Sequence, residues 1–312
     1  MKFYIVDAFS SAAFGGNPAG VVMIPEGDDF PSVSLMQKTA AELRYSETAF
    51  VKKLNEKEFH TRYFTPAAEV DLCGHATISA FSVMLKEGMI SKEHEYMNHT
   101  LAGDLEIAAQ KDFIMMEMAV PEHIKTLRGK TETETLFHIM GIPAGEVFIQ
   151  QSPGDKKKLL PMIISTGLPD ILLPVSSRNA LFDIDPDFDA LSRFSEEYEV
   201  TGVHAFTLDA AENDITAHCR NFAPLYDIDE EAATGTANGA LTYYLFLHDL
   251  IKDGQDSVFI QGESMERPSR ILSHIKKVPC YEKNRDLKKD DFCLKIQIGG
   301  TGMILAAGEI FI

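Results

Sequence analysis

Arg62-Tyr63-Phe64-Thr65-Pro66 and Arg220-Asn221-Phe222-Ala223-Pro224 are two versions of one string. Each reads as the end of a β-strand, runs through an acidic loop to a glycine, and opens an apolar helix: Gly74-His75-Ala76 in the first case, Gly235-Thr236-Ala237 in the second. The first loop is three residues shorter. Short identities arise by chance, but the shared order of strand, proline, acidic loop, glycine and helix marks an internal duplication. The chain therefore reads as two related halves facing one another, 1–122 and 123–312, divided where the pattern breaks near Pro121–Arg128.

Both halves interleave strands and helices. Lys2–Asp7, Ala19–Ile24, Thr48–Val51 and Phe59–Phe64 read as strands, and Leu105–Ala119 as a hairpin. Apolar residues at helical spacing predict helices over Pro31–Leu43 and Gly74–Leu85. In the second half, Thr131–Met140 reads as a helix ended by Gly141 in a left-handed cap, and Phe188–Phe194 as a helix capped by Asp187. Strands are expected over Leu160–Ser165, Ile171–Val175, Val203–Leu208, Ile215–Phe222, Cys293–Ile298 and Gly308–Ile312, with a helix over Gly235–Leu247.

With 312 residues, the chain suits two domains. Its net charge of −18 argues against nucleic acid and anionic membrane surfaces as partners. No apolar run approaches the roughly 20 residues of a membrane helix, and the N-terminus lacks the pattern of a secretory signal. A cytoplasmic location is expected. Cys73, Cys219, Cys280 and Cys293 form no C-x-x-C pair and have no histidine at zinc spacing, so neither a metal nor a disulfide framework is expected. Glycine-rich nucleotide fingerprints and the G-x-S-x-G elbow are also absent, so nucleotide cofactor binding has no support in the sequence.

A helix N-terminus leaves N–H groups unpaired and carries partial positive charge, and a glycine there lets a ligand approach the backbone. Gly74-His75 and Gly235-Thr236 are thus candidate anion sites. The helix dipole disfavours protonated His75, so a neutral imidazole is expected there. Cys73 precedes the same helix, where a reactive thiolate and an inert buried thiol are both open readings. Ser46-Glu47-Thr48 enters a strand, and Glu47 on spacing alone is a surface carboxylate; only a cleft would make it a general acid/base with a raised pKa. Glu69, Asp71, Asp227, Asp229, Glu230 and Glu231 flank the two glycines, most of them as solvated loop charges.

Taken together, these strings resemble the PhzF-like family of phenazine biosynthesis, which shares the diaminopimelate epimerase fold. The resemblance rests on Val6-Asp7-Ala8-Phe9, Gly16-Asn17-Pro18, Ser46-Glu47-Thr48-Ala49-Phe50, and Arg62 to Pro66 through Cys73-Gly74-His75-Ala76-Thr77. It continues in Thr166-Gly167-Leu168-Pro169, Arg220 to Pro224, Ala233-Thr234-Gly235-Thr236-Ala237 and Arg267-Pro268-Ser269. It implies an α+β fold of two pseudo-symmetric domains, each a mixed sheet curled into a barrel-like layer around a central helix, with the final strand returning to the first half. It further implies a cofactor-free, metal-free isomerase, often a homodimer. By the same resemblance the acid/base role falls on Glu47, the cleft histidine on His75, and the anion-holding amides on Gly74, Gly235 and Thr236. Asn17, Ser46 and Cys73 complete the expected substrate-binding set. Glu231 stands where the family usually has aspartate, and Ala232 where it has proline. Thr234 stands where the related epimerases carry their second cysteine, which disfavours a two-thiol racemase.

The leading expectation is an isomerase shifting a proton on a small anionic, carboxylate-bearing metabolite, with Glu47 moving the proton and His75 and Glu231 positioning or relaying. An amino-acid epimerase using Cys73 with Glu47, and a non-catalytic binding protein on the same fold, are the alternatives.

Overall fold

The computed structural model describes residues 1–143, 149–152, 155–210, 212–279 and 292–312, without the side chains of 149–152 and 155–158. The chain divides into two compact units. The first is Met1–Glu117 with Glu266–Arg270 and Gly299–Ile312; the second is Met118–Met265 with Ile271–Ile298. The terminal segment thus returns to the first unit.

The first unit contains β1 (Lys2–Ala8), β2 (Asn17–Met23), α1 (Val33–Leu43), β3 (Thr48–Lys53), β4 (Glu58–Phe64), β5 (Glu69–Val70), α2 (Gly74–Lys86), β6 (His94–Thr100), β7 (Gly103–Gln110) and β8 (Phe113–Glu117). β1 pairs antiparallel with β2 and with the terminal strand Gly302–Glu309. β2 runs parallel to β3, β3 antiparallel to β4, β4 antiparallel to β5, and β4 parallel to β6. β7 and β8 extend the antiparallel edge. Every residue of α2 from His75 to Met84 is buried, and the helix packs on β1, β2, β3, β8 and the terminal strand. A helix buried all round is the centre of its unit, not a cover on it. Met36 and Ala40 of α1 lie on the other sheet face against Val22, Phe50 and Phe64.

The second unit contains β9 (Glu122–Thr126), α3 (Lys130–Ile139), β10 (Ile149–Ser152), β11 (Asp155–Lys158), β12 (Met162–Ser165), β13 (Pro169–Pro174), α4 (Arg178–Phe182), α5 (Phe188–Glu197), β14 (Gly202–Thr207), β15 (Ala217–Ala223), β16 (Ile228–Glu231), α6 (Gly235–Leu247) and β17 (Asp256–Gln261). It is followed by β18 (Ser269–Pro279) and β19 (Phe292–Gly300), each of which begins or ends in the first unit. The pairings repeat those of the first unit in the same sequence. β12 is antiparallel to β13, β13 parallel to β14, β14 antiparallel to β15, β15 antiparallel to β16, and β15 parallel to β17. β9 takes the place of the terminal strand beside β12. Ile171, Leu173, Val203, Ala205 and Phe222 face the core formed with α3 and α5. Alternation along each strand then turns Asp170, His204 and Asn221 toward the α6 side.

Each repeated arginine forms a fork. Arg62 Nε and Nη2 donate to Glu69 at 2.6 and 2.7 Å, and Arg220 Nε and Nη2 donate to Glu230 at 2.9 and 2.8 Å. Two of the acidic loop residues are therefore staples across the strand–loop turn, not solvated charges.

Glu122–Thr126, where the sequence pattern lapses, is a strand held by pairing with β12, and the two units divide just ahead of it, between Glu117 and Met118. Two sequence expectations need correcting. The last strand is Gly302–Glu309, not Gly308–Ile312. Cys293 is disulfide-bonded, whereas Cys73 and Cys219 are free and buried. Gly141 does adopt the left-handed conformation after α3, and the Asp187 side chain caps α5 by accepting from Ala190 N–H at 2.9 Å. Among the described residues, no helix is long and apolar enough to cross a membrane.

Candidate active site

The centre of the first unit's polar constellation is His75, one residue into α2 and 5% exposed. Five sequence candidates converge here. Glu47 Oε2 lies 3.1 Å from His75 Nε2, and Ser46 Oγ lies 3.2 Å from the same nitrogen. On the other side of the ring, Asn17 Nδ2 is 3.3 Å and Cys73 Sγ 3.4 Å from Nδ1. Glu47 sits at the last position before β3, and Asn17 opens β2. Parallel pairing of these two strands brings both to the N-terminus of the helix that the sheet encloses.

The Glu47 contact is an ion pair: Oε2 is buried and, among the described residues, accepts no aligned donor. Burial pushes Glu47 up, but the charge of His75 and the neighbouring polar groups more than offset it, and the carboxyl titrates below its usual range. Burial likewise pushes His75 down, and the negative charge beside it reverses that, holding the imidazole protonated well above its usual range. Cys73 cannot supply that charge at neutral pH, because burial first and Glu47 second push its thiol up to about 11. The resting pair is therefore Glu47 carboxylate with His75 imidazolium beside a neutral thiol.

This overturns two expectations. The helix dipole, about half a charge, does not keep His75 neutral against a full carboxylate at 3.1 Å. Desolvation pushes Glu47 up, but the imidazolium buried beside it outweighs that push and leaves the carboxyl lowered. The Cys73 sulfur, a His75 ring nitrogen and a Glu47 oxygen all lie within 4.8 Å of one another, a set able to hold a metal ion.

In the second unit, the start of α6 is built differently. Thr234 stands at the N-cap, yet its side chain does not cap; its hydroxyl donates to Glu231 Oε2. Gln261 locks this loop, accepting from Thr234 N–H at 3.2 Å and donating to the Glu231 carbonyl at 2.7 Å. Cys73 does not cap α2 either. Neither helix-leading glycine is demanded by packing. A Cβ on Gly74 would meet only the Met116 methyl at 3.4 Å, and one on Gly235 only Ile298 Cγ2 at 3.8 Å. Both units thus present an uncapped helix start with room above its first residue.

The repeat also identifies what stands opposite Glu47 in the duplication. Phe64 pairs with Thr48 and Phe222 with Val203, so the preceding residues, Glu47 and Gly202, are equivalent. A Cβ on Gly202 would lie 1.9 Å from the Phe222 carbonyl oxygen, so the second unit has no room for a side chain at this position.

One group was not visible in the sequence. Asp170, 1% exposed, has both carboxyl oxygens buried and, among the described residues, without a hydrogen-bond partner. Burial, and then the charge of Glu231, hold it protonated well above the carboxylate range. Its first-unit equivalent is Ala19, by the same register. A carboxyl raised in the folded state costs stability above the unfolded pKa, increasingly so up to the folded pKa. Asp170→Asn is therefore expected to raise the melting temperature more near pH 8 than near about pH 3, where both states are largely protonated. Equal gains at both values would contradict the protonated assignment.

The family described as "Phenazine biosynthesis-like protein" matches residues 6–308. An uncharacterized isomerase of Clostridium acetobutylicum is 33% identical over 281 residues, covering 86% of this chain and 88% of the relative. The crystal structure of a PhzF-family phenazine biosynthesis protein from Bacillus anthracis superposes with a TM-score of 0.81 at 24% identity, covering 100% of this chain and 99% of that one. A probable proline racemase from Agrobacterium radiobacter, solved with bound carbonate, reaches 0.60 at 9% identity over 100% and 93% of the chains, which shows shared architecture alone. The match across nearly the whole chain, over a duplicated α+β fold with a buried Glu–His pair at its first helix start, places this chain in the phenazine biosynthesis-like family.

Proposed function

We propose that the chain is a cofactor-independent isomerase that moves a proton from one carbon to another on a small carboxylate-bearing metabolite. The observation that carries this reading is the Glu47–His75 ion pair, formed within one unit at an uncapped helix start. Glu47, already ionised and with Oε2 accepting no aligned donor among the described residues, takes the proton and returns it at the second carbon. His75 imidazolium offsets the negative charge that develops on the substrate and can donate a proton to it. The helix start at Gly74 offers its amides to the substrate carboxylate, as helix starts do for anions, and the start at Gly235–Thr236 is a second anion site of the same kind. Ser46 Oγ and Cys73 Sγ accept from the imidazolium, Asn17 lies against Nδ1, and Glu231 fixes the α6 approach through Thr234.

The filled position at Gly202 and the threonine at the equivalent of Cys73 support a one-base reaction over a two-base epimerisation. The isotope test separates the two. A single carboxyl that takes and returns the same proton passes part of the substrate hydrogen to the product in deuterated water. A two-base enzyme fills the new position from the opposite, solvent-equilibrated acid. Candidate carboxylates screened in deuterium oxide by mass spectrometry are expected to yield an isomer with partial retention of substrate hydrogen. Complete solvent labelling at the receiving carbon, with label also at the donor carbon, would sink the one-base assignment.

A further inference from the structure

We propose that Glu47, Cys73 and His75 form a binding site for a thiophilic divalent cation of the zinc class, occupied in competition with the proton chemistry. This rests on the proposed function only where it concerns inhibition; the binding itself is an independent property of the three side chains. The donor set is mixed nitrogen, sulfur and oxygen, which suits zinc and cadmium and not magnesium or calcium.

The spacing is close to what such an ion needs. Zinc bonds of about 2.3 Å to sulfur and about 2.0–2.2 Å to nitrogen and oxygen place tetrahedral ligands roughly 3.3–3.6 Å apart. His75 Nε2 is 3.1 Å from Glu47 Oε2 and 3.9 Å from Cys73 Sγ. These two values bracket the tetrahedral distance, and all three ligand atoms lie within 4.8 Å of one another, so the side chains would draw together around the ion. Cys73 is 7% exposed and His75 5%, which gives the ion a dry, preformed wall on two sides. Ser46 is exposed and its Oγ lies 3.2 Å from Nε2, leaving the fourth position open to water or a ligand oxygen. Three protein ligands with one open position is the pattern of a reactive, not a structural, zinc site.

Binding requires the thiol to give up its proton and Nε2 to offer a lone pair, so protons leave as the ion enters. The bound ion would then consume the carboxylate that acts as base, and the cation acts as an inhibitor whose effect chelation reverses. Cys219 is the other free cysteine among the described residues and is the control.

The experiment is a titration of the purified, chelator-treated protein with Cd²⁺, read by the ultraviolet sulfur-to-cadmium charge-transfer absorption, with Zn²⁺ as competitor. One equivalent is expected to saturate the band in the wild type and in Cys219→Ala. Cys73→Ala and the near-isosteric Cys73→Ser are expected to abolish it while keeping the wild-type circular dichroism. Glu47→Gln and His75→Asn are expected to weaken Zn²⁺ binding by at least ~10-fold each. A band that survives in both Cys73 variants, or an affinity indifferent to Glu47→Gln, would overturn the site. Cadmium binding through all three residues alongside a fully active Glu47→Gln enzyme would uphold the cation site and remove the proposed base. No charge-transfer band alongside an inactive Glu47→Gln enzyme would do the reverse.

Discussion

Glu47→Gln is expected to lower turnover by about 10²–10⁴-fold, the range spanned by removal of a positioned general acid/base. The substitution is nearly isosteric, so it tests charge and basicity rather than packing. Two things are lost together. The amide cannot accept a proton from carbon, and the imidazole loses the carboxylate 3.1 Å away that keeps it protonated. With that charge gone, burial is left to act on His75, and its titration moves down toward or below the ordinary imidazole range. Nitrogen-15 NMR of the ring would follow this shift in the absence of any substrate. A His75 titration unchanged by Glu47→Gln would break the electrostatic argument, and full turnover would break the catalytic one. The wild-type pH profile follows from the same pair. Glu47 is depressed, so its ionised form is lost only as the pH falls through a value below the usual carboxylate range. His75 is raised, so its charge is lost only as the pH rises through a value well above the usual imidazole range. Activity should be flat between these limbs, across neutral pH.

Arg220→Met is expected to destabilise the second unit by roughly 3–5 kcal/mol, the cost of leaving one partner of a buried ion pair behind. Arg220 is 8% exposed and does more than pair with Glu230. Its Nη1 donates to the carbonyls of Leu181, Phe182 and Ile184 at 3.2, 3.3 and 2.7 Å, which completes the C-terminal end of α4. Its guanidinium also lies 4.8 Å from the centre of the Phe222 ring. Methionine keeps the apolar stem and strands a carboxylate and three carbonyls. For a unit of this size the loss corresponds to a fall in melting temperature of about 10 °C. Arg62→Met is the internal comparison. Arg62 and Glu69 are each 19% exposed and make the same fork, but among the described residues no carbonyl contacts of Arg62 accompany it. Its loss should be clearly smaller. Equal losses would show that the fork, not the carbonyl cluster, carries the stability.

The duplication was legible because it is written in identities around Arg62 and Arg220, and the strand pairings follow the repeat residue for residue. Gly235–Leu247 was legible to its ends because an apolar run between a glycine and a change of pattern leaves one reading. β9 was not, because four of its five residues are exposed and it lacks any apolar alternation; the backbone ladder alone holds it. β6 was missed for a related reason, since His94-Glu95-Tyr96-Met97-Asn98-His99-Thr100 buries Asn98, which accepts from Thr61 Oγ1 and donates to Tyr63 Oη. At the site, the members could be named from motifs, but their protonation could not. Whether His75 is charged depends on a separation between residues 28 positions apart in sequence, and the dipole argument used the one term visible along the chain. Gly202 as the counterpart of Glu47 emerged only from register, because the flanking residues share no string.

Gly202 also has a bearing on how such a protein could change its chemistry over time. Gene duplication ordinarily leaves two copies free to regain each other's residues by single substitutions. Here that route is closed at one position, since any side chain at 202 meets the Phe222 carbonyl oxygen. A lineage carrying this backbone, or a designer starting from it, would have to move strand β15 before restoring symmetry at 202. The shorter path to a second base runs through Thr234, whose backbone already occupies the place of Cys73.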